Sequence, residues 1–247
     1  MKTIASFRSS ALALAAGLAL ASVAVPNAAH AELSGNIGVV SDYVLRGNTV
    51  GPEDNNPALQ GGFDWSHGSG FYAGYWGSSL GYGDEKTTLG FENDFYAGWS
   101  GEFGPVSVSA GLTYYYYLNV DDSDAFETAL SVGVGPVTLS AKTLLEDVAW
   151  GNTGDTYLTL SYSQDLPSDF KFTALAGFYY YEDSGDFEDN LNTTEDFNFR
   201  HLDLTLSHPI GDTGADMSIT AVIGGKTRSD TDLENAIVFG ISYGFDI

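Results

Sequence analysis

The chain has 247 residues, no cysteine and a formal net charge of −24 at pH 7. Such an acidic excess excludes binding to nucleic acid through its phosphates. It carries 15 tyrosines and 15 phenylalanines, which excludes a disordered acidic chain, because that class is poor in aromatic residues. Without cysteine, an exported form of the chain must be stabilised by something other than disulfides.

The N-terminal segment has the pattern of an export signal. Two basic residues open the chain, and residues 11–25 form an uncharged apolar run. Residues 29–31 read Ala-His-Ala, the small-x-small pattern that signal peptidase cleaves. The run is shorter than the roughly 18 residues that a membrane-spanning helix needs. The sequence therefore predicts a cleaved signal peptide at 1–31 and a mature domain at 32–247, with a net charge of 7 − 33 = −26.

Apolar and polar residues alternate with a period of two through the mature chain, and no helical pattern persists. The first predicted strand runs from Leu33 to Arg46, with Asn36, Asp42 and Arg46 on its polar face. Twelve antiparallel strands are predicted. They are centred near 33–46, 57–66, 70–80, 88–100, 106–118, 124–134, 137–147, 156–164, 170–181, 196–207, 215–225 and 237–247.

The lengths and connections of these segments indicate a membrane barrel. Most segments exceed the roughly 5 to 6 residues of soluble strands and reach the roughly 9 to 11 of a tilted membrane strand. Their connections alternate between tight Gly- or Pro-rich turns and longer acidic loops, as in outer-membrane barrels, whose short side is periplasmic. The turns lie at 67–70, 101–105, 135–136, 165–169 and 209–214. The loops lie at 46–56, 81–87, 119–123, 149–154, 183–195 and 226–232.

Aromatic residues cluster at the ends of the predicted strands. Tyr114, Tyr116 and Tyr180 lie beside acidic loops, whereas Trp65 and Trp99 lie near the short turns. Amphipathic rings at both ends of apolar strips are typical of the two interfaces of a membrane, so we expect these residues to form two aromatic girdles. A soluble β-sandwich is the alternative, since it also alternates, but it does not explain clustering at strand ends.

The opposite face of the strands is polar and is predicted to line a lumen. A dry interior would cost several kcal/mol for each buried charge that lacks a partner, so a wet interior is favoured. The facing of strand 70–80 stays open, because Phe71 and Tyr75 alternate with Tyr72 and Trp76. The predicted lumen-facing residues are Asp42, Arg46, Asp64, Glu92, Asp94, Glu127, Lys142, Glu146, Lys171 and Asp203.

Three stretches resemble the TorF-like family of outer-membrane proteins. They are residues 36–47 (NIGVVSDYVLRG), 57–64 (PALQGGFD) and 70–76 (GFYAGYW). The resemblance implies a small barrel proposed to be a porin, and it carries over no catalytic residue. The chain departs from the pattern in the loop at 48–54, and it ends in Ile247 where outer-membrane proteins usually end in Phe or Trp.

Metal binding and catalysis are the two alternative chemistries. The acidic runs at 121–124 and 183–189 offer oxygen ligands, but neither has the spacing of the twelve-residue calcium loop. A solvated acidic loop is therefore favoured, and neither a metal site nor a cofactor is predicted. His201 and Asp203 share a face with a threonine and a serine, but one strand cannot make a Ser-His-acid arrangement converge. The sequence predicts that the protein is not an enzyme.

The sequence thus predicts an all-β, closed antiparallel barrel in the outer membrane of a Gram-negative bacterium. With about twelve strands its pore lies between the filled interior of eight and the wide channel of 16 to 18, and the loop at 183–195 is expected to narrow it further. The predicted function is passive diffusion of small solutes with a cation preference; the alternative is a non-conducting barrel with a structural or surface-binding role. Expected partners are outer-membrane lipid and lipopolysaccharide, bridged by divalent cations. The oligomeric state is left open.

Overall fold

Twelve antiparallel strands form a closed barrel in the computed structural model, which describes residues 31–49, 57–80 and 90–247. Each strand pairs with its neighbours in sequence, and the first strand pairs with the last. One short helix, α1 (Glu188–Leu191), lies between two strands. The strands are β1 (Glu32–Val40), β2 (Ala58–Ser66), β3 (Phe71–Leu80), β4 (Gly90–Phe103), β5 (Val106–Leu118), β6 (Ala125–Val134), β7 (Val137–Leu144), β8 (Thr156–Asp165), β9 (Lys171–Tyr180), β10 (Phe197–Pro209), β11 (Ala215–Gly224) and β12 (Ala236–Asp246).

The pairing of β1 with β12 closes the barrel. Its register runs from Ser34 opposite Asp246 to Val40 opposite Gly240. Beyond the strand, the backbone N–H of Ile247 donates a hydrogen bond to the carbonyl oxygen of Leu33 at 2.9 Å. The sheet therefore has no open edge, which removes the unpaired N–H and C=O groups that an edge strand would present.

The outer face of the barrel is apolar, and its inner face is polar or small. Large side chains such as Leu139, Phe239 and Ile241 are more than half exposed on the outside. Of their neighbours in sequence, Val238 and Gly240 are buried on the inside, and Thr138, Ser140 and Ser242 are partly buried. An exposed apolar band around a closed barrel is the arrangement of transmembrane β-barrels. Among the described residues no helix is both long and apolar enough to cross a membrane.

The two ends of the barrel differ. At one end, here called the turn end, β1 begins, β12 ends and the short connections between strands lie. At the other end, the loop end, longer connections fold over the barrel. Gly104 and Gly135 at the turn end have φ of +63° and +57°, and nothing lies within 4 Å of a Cβ built on either. Glycine is needed there for backbone conformation alone.

The twelve predicted strands are confirmed, but the predicted extent of the first is wrong. The β1 strand ends at Val40, not near Arg46. Ser41 still pairs with Phe239, since the Ser41 N–H donates to the Phe239 carbonyl oxygen at 2.8 Å and the Ser41 Oγ accepts from the Phe239 N–H at 2.9 Å. The chain then turns into the barrel, so the alternation that continues through Tyr43 no longer marks strand faces.

The facing of β3, which the sequence left open, is settled by burial. Tyr72 is buried inside the barrel, whereas Phe71 is exposed outside. Trp76 also points inward, with its ring edge-on to that of Tyr43 at 5.9 Å between centroids. The predicted signal peptide lies outside the described residues except for Ala31, and most of the loops at 46–56 and 81–87 do as well.

Candidate functional site in the barrel interior

One segment, Ser41–Thr49, fills the loop half of the interior and is called the inner segment below. A tight turn lies at its tip, where the Asn48 N–H donates to the Leu45 carbonyl oxygen at 2.9 Å. The two central residues, Arg46 and Gly47, have φ of +51° and +71°. Positive φ at both central positions is the mark of a type I′ turn, and it is uncommon for a residue other than glycine. The turn aims the Arg46 side chain into the barrel.

The backbone at Gly47 packs directly on β10. A Cβ built on Gly47 would lie 2.5 Å from the Cβ of His201 and 2.6 Å from its Cγ. On the same side, Arg200 Nε donates to the Arg46 carbonyl oxygen at 3.2 Å. Glycine is therefore required at position 47 both for conformation and for space.

Arg46 forms a buried ion pair with Glu127 of β6. Its Nη1 donates to Glu127 Oε1 at 2.9 Å and its Nη2 donates to Glu127 Oε2 at 2.6 Å. Nη1 also donates to the Tyr179 hydroxyl at 2.6 Å, and the guanidinium carbon lies 5.0 Å from the centroid of the Tyr157 ring. Bidentate pairing of this kind is both strong and specific in geometry. It ties the inner segment to the far wall of the barrel.

Tyr43 anchors the inner segment to β4. The Tyr43 hydroxyl donates to Glu92 Oε2 at 2.8 Å, and the Tyr117 hydroxyl donates to Glu92 Oε1 at 3.1 Å. Tyr43 and Val44 are 1% and 2% exposed and lie in an apolar cluster with residues from several strands. The loop half of the interior is therefore packed rather than open.

Asp94 and Lys142 lie in the same region and do not form an ion pair with each other. Lys142 Nζ donates to the Tyr115 hydroxyl at 3.0 Å. Asp94 is 0% exposed, and both of its carboxylate oxygens are buried without a hydrogen-bond partner among the described residues. A buried charged group without a partner carries a large desolvation cost.

His201, Asp203 and Tyr157 form a second buried chain of contacts. His201 Nδ1 lies 2.8 Å from Asp203 Oδ1, and His201 Nε2 lies 2.7 Å from the Tyr157 hydroxyl. Both ring nitrogens therefore already have partners. The next hydroxyl on that face, Thr205, pairs with Thr220 at 2.8 Å between Oγ1 atoms. Among the described residues, the hydrogen-bond partners of the His201 ring are Tyr157 and Asp203, and neither is a serine.

Three loops are fastened together above the barrel, at residues 145–155, 181–196 and 225–235. Arg228 makes an ion pair with Asp155, and its Nη1 donates to Thr193 Oγ1 at 3.1 Å. Asn152 Nδ2 donates to Glu188 Oε2 at 2.7 Å. Partial burial opposes the charged form of Glu188, but hydrogen bonds from Asn152 and Thr193 and the charge of Arg228 outweigh it and lower its pKa. We call this group of contacts the loop clasp.

Asp147 belongs to the loop clasp as well. Its Oδ1 accepts hydrogen bonds from the Thr153 N–H and hydroxyl, each at 2.7 Å. Its Oδ2 accepts from the Asp186 N–H at 3.0 Å. The hydrogen bonds from Thr153 and Asp186 lower the pKa of Asp147, because they favour the charged carboxylate. The carboxylate thus joins two loops.

The ten predicted lumen residues fall into three groups. Six lie buried in the networks just described: Arg46, Glu92, Asp94, Glu127, Lys142 and Asp203. Asp42, Asp64 and Lys171 are half-buried, and Asp64 accepts a hydrogen bond from the Tyr96 hydroxyl. Glu146 is exposed and accepts from the Phe126 N–H, outside these networks. The reason is that β7 ends at Leu144, so the alternation through Lys142 does not reach position 146.

The five residues predicted for the aromatic girdles all lie on the outer face. Trp65, Tyr116 and Tyr180 are exposed. Tyr114 stacks on Phe126 with centroids 4.6 Å apart, and Trp99 Nε1 donates to the Ser69 carbonyl oxygen at 2.9 Å. The intervening tyrosines face inward and were missed as site residues. The signal that predicts the inward tyrosines of each run is strand alternation, because every second residue of the run faces the interior. Within the runs they are Tyr115, Tyr117 and Tyr179. Two further inward tyrosines outside the runs, Tyr43 and Tyr157, are also not predicted as site residues.

No group of three or more histidine, cysteine or acidic side chains is placed to hold a metal ion within residues 31–49, 57–80 and 90–247. The acidic run 121–124 lines an open surface pocket of about 440 Å³ with Asp147 and Phe187. This pocket therefore offers carboxylates to solvent without a built cation cage.

A closed twelve-stranded barrel with an apolar outside and a charged inside is a porin-like β-barrel. The chain belongs to the family described as "Bacterial protein of unknown function (Gcw_chp)", whose model matches residues 24–242. The TorF-like name suggested by the sequence is not confirmed. No curated protein matches the chain significantly.

Solved structures support the fold assignment. The KdgM porin superposes with a TM-score of 0.55 at 8% identity, over 87% of this chain and 99% of that one. The outer membrane phospholipase A from Escherichia coli gives 0.42 at 14% identity, over 86% and 95%. The outer membrane channel DcaP of Acinetobacter baumannii gives 0.41 at 10% identity, over 87% and 96%. The first similarity shows the barrel fold, and the other two are too weak to support an inference.

Proposed function

We propose that the protein is an outer-membrane channel for passive diffusion of small solutes, with a preference for cations. The observation that carries this proposal is the charged and hydrogen-bonded interior of a barrel whose outside is apolar. Charged groups at the interior of a spanning structure mark pathways for ions or solutes, because they are expensive where no permeant or water uses them. A barrel that served only as an anchor would be more stable with an apolar core.

The cation preference follows from the sign of the interior charge. Among the predicted lumen residues carboxylates outnumber bases, and one of the two buried bases, Arg46, is held by Glu127. Clefts lined by one sign of charge focus the field and raise the local concentration of the opposite ion. We therefore expect potassium to permeate more readily than chloride.

The inner segment sets the state of the channel. Because Tyr43, Val44 and Arg46 are buried in the loop half, the barrel as described is closed there. Conduction requires the inner segment to move, and the ion pair of Arg46 with Glu127 holds it in place. The loop at 183–195, which the sequence suggested as the constriction, instead forms α1 and joins the loop clasp. We infer that opening is controlled from within the barrel.

Planar bilayer recordings test the proposal. The wild-type protein should show rare unitary current steps, and Arg46→Ala should open far more often, because it frees the inner segment. Lys171→Ala, half-buried at the turn end, is the matched control for loss of a cationic side chain and should open as rarely as wild type. No steps from any of the three proteins would contradict the channel, and a reversal potential that favours chloride would contradict the cation preference.

A non-conducting barrel is the second candidate, and the burial of the inner segment favours it. Tyr43 and Val44 pack as a core cluster would, with no gap that the described residues reveal. In that case Arg46→Ala would lower stability without producing current. The same recordings therefore separate the two candidates.

The orientation proposed for the barrel places the turn end in the periplasm and the loop end at the cell surface. Exposed acids at the loop end would then face lipopolysaccharide phosphates, with divalent cations between them. Because the chain has no cysteine, one cysteine introduced by substitution shows on which side of the membrane its position lies. In intact cells Asp189→Cys on α1 should react with a membrane-impermeant maleimide, and Asp212→Cys at the turn end should not. The reverse pattern would invert the orientation, and labelling of both cysteines in intact cells would contradict a barrel that spans the membrane.

A further inference from the structure

Asp94 is a buried acidic residue whose carboxylate is left unsatisfied by the hydrogen-bond network of the described residues. It lies on the inner face of β4, where its cross-strand neighbours are Trp76 of β3 and Tyr115 of β5. It is 0% exposed, and neither carboxylate oxygen has a hydrogen-bond partner among the described residues. Glu92, two residues away on the same face, is different, because two tyrosine hydroxyls donate to it.

The two bases nearest to Asp94 are engaged elsewhere. Both Nη atoms of Arg46 donate to Glu127, in a bidentate pair. The ammonium group of Lys142 donates to the Tyr115 hydroxyl and lies 5.7 Å from the centroid of the Tyr115 ring. Neither base forms an ion pair with Asp94 in the described residues, so this carboxylate on β4 has no direct counterion, and the charges of Arg46 and Lys142 act on it only from farther away. A buried carboxylate is tolerated only if it is paired, protonated or bound to a cation.

We propose that Asp94 binds a monovalent cation inside the barrel. A single carboxylate without a direct counterion calls for a single positive charge, and carboxylate oxygens are the ligands that hard cations take. The site lies on the inner face of β4, two residues from Glu92, which accepts a hydrogen bond from Tyr43 of the inner segment. Binding there requires no conduction, whereas its use as the selectivity element of a channel rests on the proposed function.

Heat unfolding of the folded protein in detergent micelles tests the binding. The midpoint is compared in sodium or potassium chloride and in N-methyl-D-glucamine chloride of equal ionic strength, since the bulky organic cation cannot occupy the site. The wild-type midpoint should be higher in the alkali salt by on the order of 5 °C. Asp94→Asn is nearly isosteric and should lose this difference. In the organic salt it should unfold above wild type, because the unpaired charge is gone.

Asp189→Asn on α1 is the matched control, because it removes one exposed carboxylate at the loop end and should keep the wild-type difference. Equal wild-type midpoints in the two salts would overturn the proposal and leave a protonated Asp94. A difference that survives in Asp94→Asn would place the cation elsewhere and also overturn it. Anomalous scattering from rubidium in crystals should show a peak at Asp94, absent from Asp94→Asn.

Bilayer recordings separate this site from the channel proposal. If the midpoint difference depends on Asp94 but no current is found, the cation site stands and the channel fails. If current flows and the midpoint is insensitive to alkali ions, the channel stands and the site fails. If both hold, Asp94→Asn should lower the ratio of potassium to chloride permeability severalfold, whereas Asp189→Asn should leave that ratio unchanged.

Discussion

The loop half and the turn half of the barrel interior are built from the same strands and yet differ in kind. In the loop half Tyr43, Arg46 and Glu127 are almost completely buried, and they are joined by hydrogen bonds across the barrel. In the turn half the inner face carries small hydroxyl residues, such as Ser131 and Ser140, which are only partly buried. One half is packed like a protein core, whereas part of the inner face of the other half stays accessible.

The cause of this difference is local. Strand alternation delivers polar residues to the inside along the whole length of the barrel, so it does not distinguish the halves. The inner segment is present only in the loop half, and it brings an arginine to buried carboxylates that would otherwise need water. A short segment of chain thus fills the loop half, where it is held by the polar contacts of Tyr43 and Arg46 and by the apolar packing of Tyr43 and Val44.

Removing the arginine should give the largest effect. Arg46→Ala leaves Glu127 buried without its partner, and breaking a buried pair in this way costs about 3 to 5 kcal/mol of the free energy of unfolding. Denaturant unfolding in micelles measures it. The double variant Arg46→Leu with Glu127→Leu should recover most of the loss, because the uncompensated charge is gone. A loss below about 1 kcal/mol for Arg46→Ala would mean that the loop half is as wet as the turn half.

Two glycines that both have a positive φ, one in each half, sharpen the comparison between the halves. Gly47→Ala and Gly104→Ala both place a side chain at positive φ, which costs roughly 1 kcal/mol or more. Only at Gly47 would the new Cβ overlap a neighbour, His201, whereas nothing lies near Gly104. The free energy of unfolding should therefore fall further for Gly47→Ala by about 1 to 3 kcal/mol. Equal losses would show that the inner segment does not pack on β10.

A hydroxyl pair in the turn half should give a smaller effect. Thr205→Val removes one partner of the Thr205–Thr220 contact and leaves the Thr220 hydroxyl to find water or stay unsatisfied. The expected loss in the free energy of unfolding is about 1 kcal/mol, and the double variant with Thr220→Val should be nearly neutral. If Thr205→Val cost as much as Arg46→Ala, the two halves would be equally dry.

Acid should loosen the loop clasp. Of the changes considered, this should have the smallest effect on the stability of the whole protein. The hydrogen bonds from Thr153 and Asp186 lower the pKa of Asp147, so its contribution is present above the usual aspartate pKa. It is lost as the pH falls through the lowered value, below about 4. Cleavage of the loop at 145–155 by an acid-active protease should rise in that range. The rate for Asp147→Asn should be raised already at pH 5 and change less on acidification, whereas Asp189→Asn should follow wild type.

Much of the barrel was predictable because strands are local. Each strand shows period-two alternation, sufficient length and a turn signal within its own residues, and these are all that a strand boundary needs. The first strand failed for a nonlocal reason. Alternation of apolar and polar residues continues through Tyr43 to Arg46. The position of the Arg46 side chain, however, is determined by its ion pair with Glu127, which is 81 residues away in sequence. The prediction that Glu146 faces the lumen is wrong for a local reason, because β7 ends two residues earlier, at Leu144.

The candidate site was predictable only in part. Charge and strand parity were enough to select Glu92, Asp94 and Lys142 as inner-face residues, since both are read from the sequence. The tyrosines that connect them, such as Tyr115, are not predicted as site residues, because a run of aromatic residues fits a membrane girdle as well as an interior network. Which acid would remain without a partner depends on the positions of side chains from several strands, and no pattern in one strand contains that information.

The pairing of β1 with β12 makes the strand order a ring, in which every other pair joins segments adjacent along the chain. Among the described strand pairings this is the one of long sequence separation, so most of the loop-closure entropy of sheet formation falls on that step. With Ser34 opposite Asp246, the start of β1 and the end of β12 lie side by side. A short linker between them should allow new termini at Gly104-Pro105, giving a circular permutant of the same barrel whose closing step moves to the β4–β5 seam.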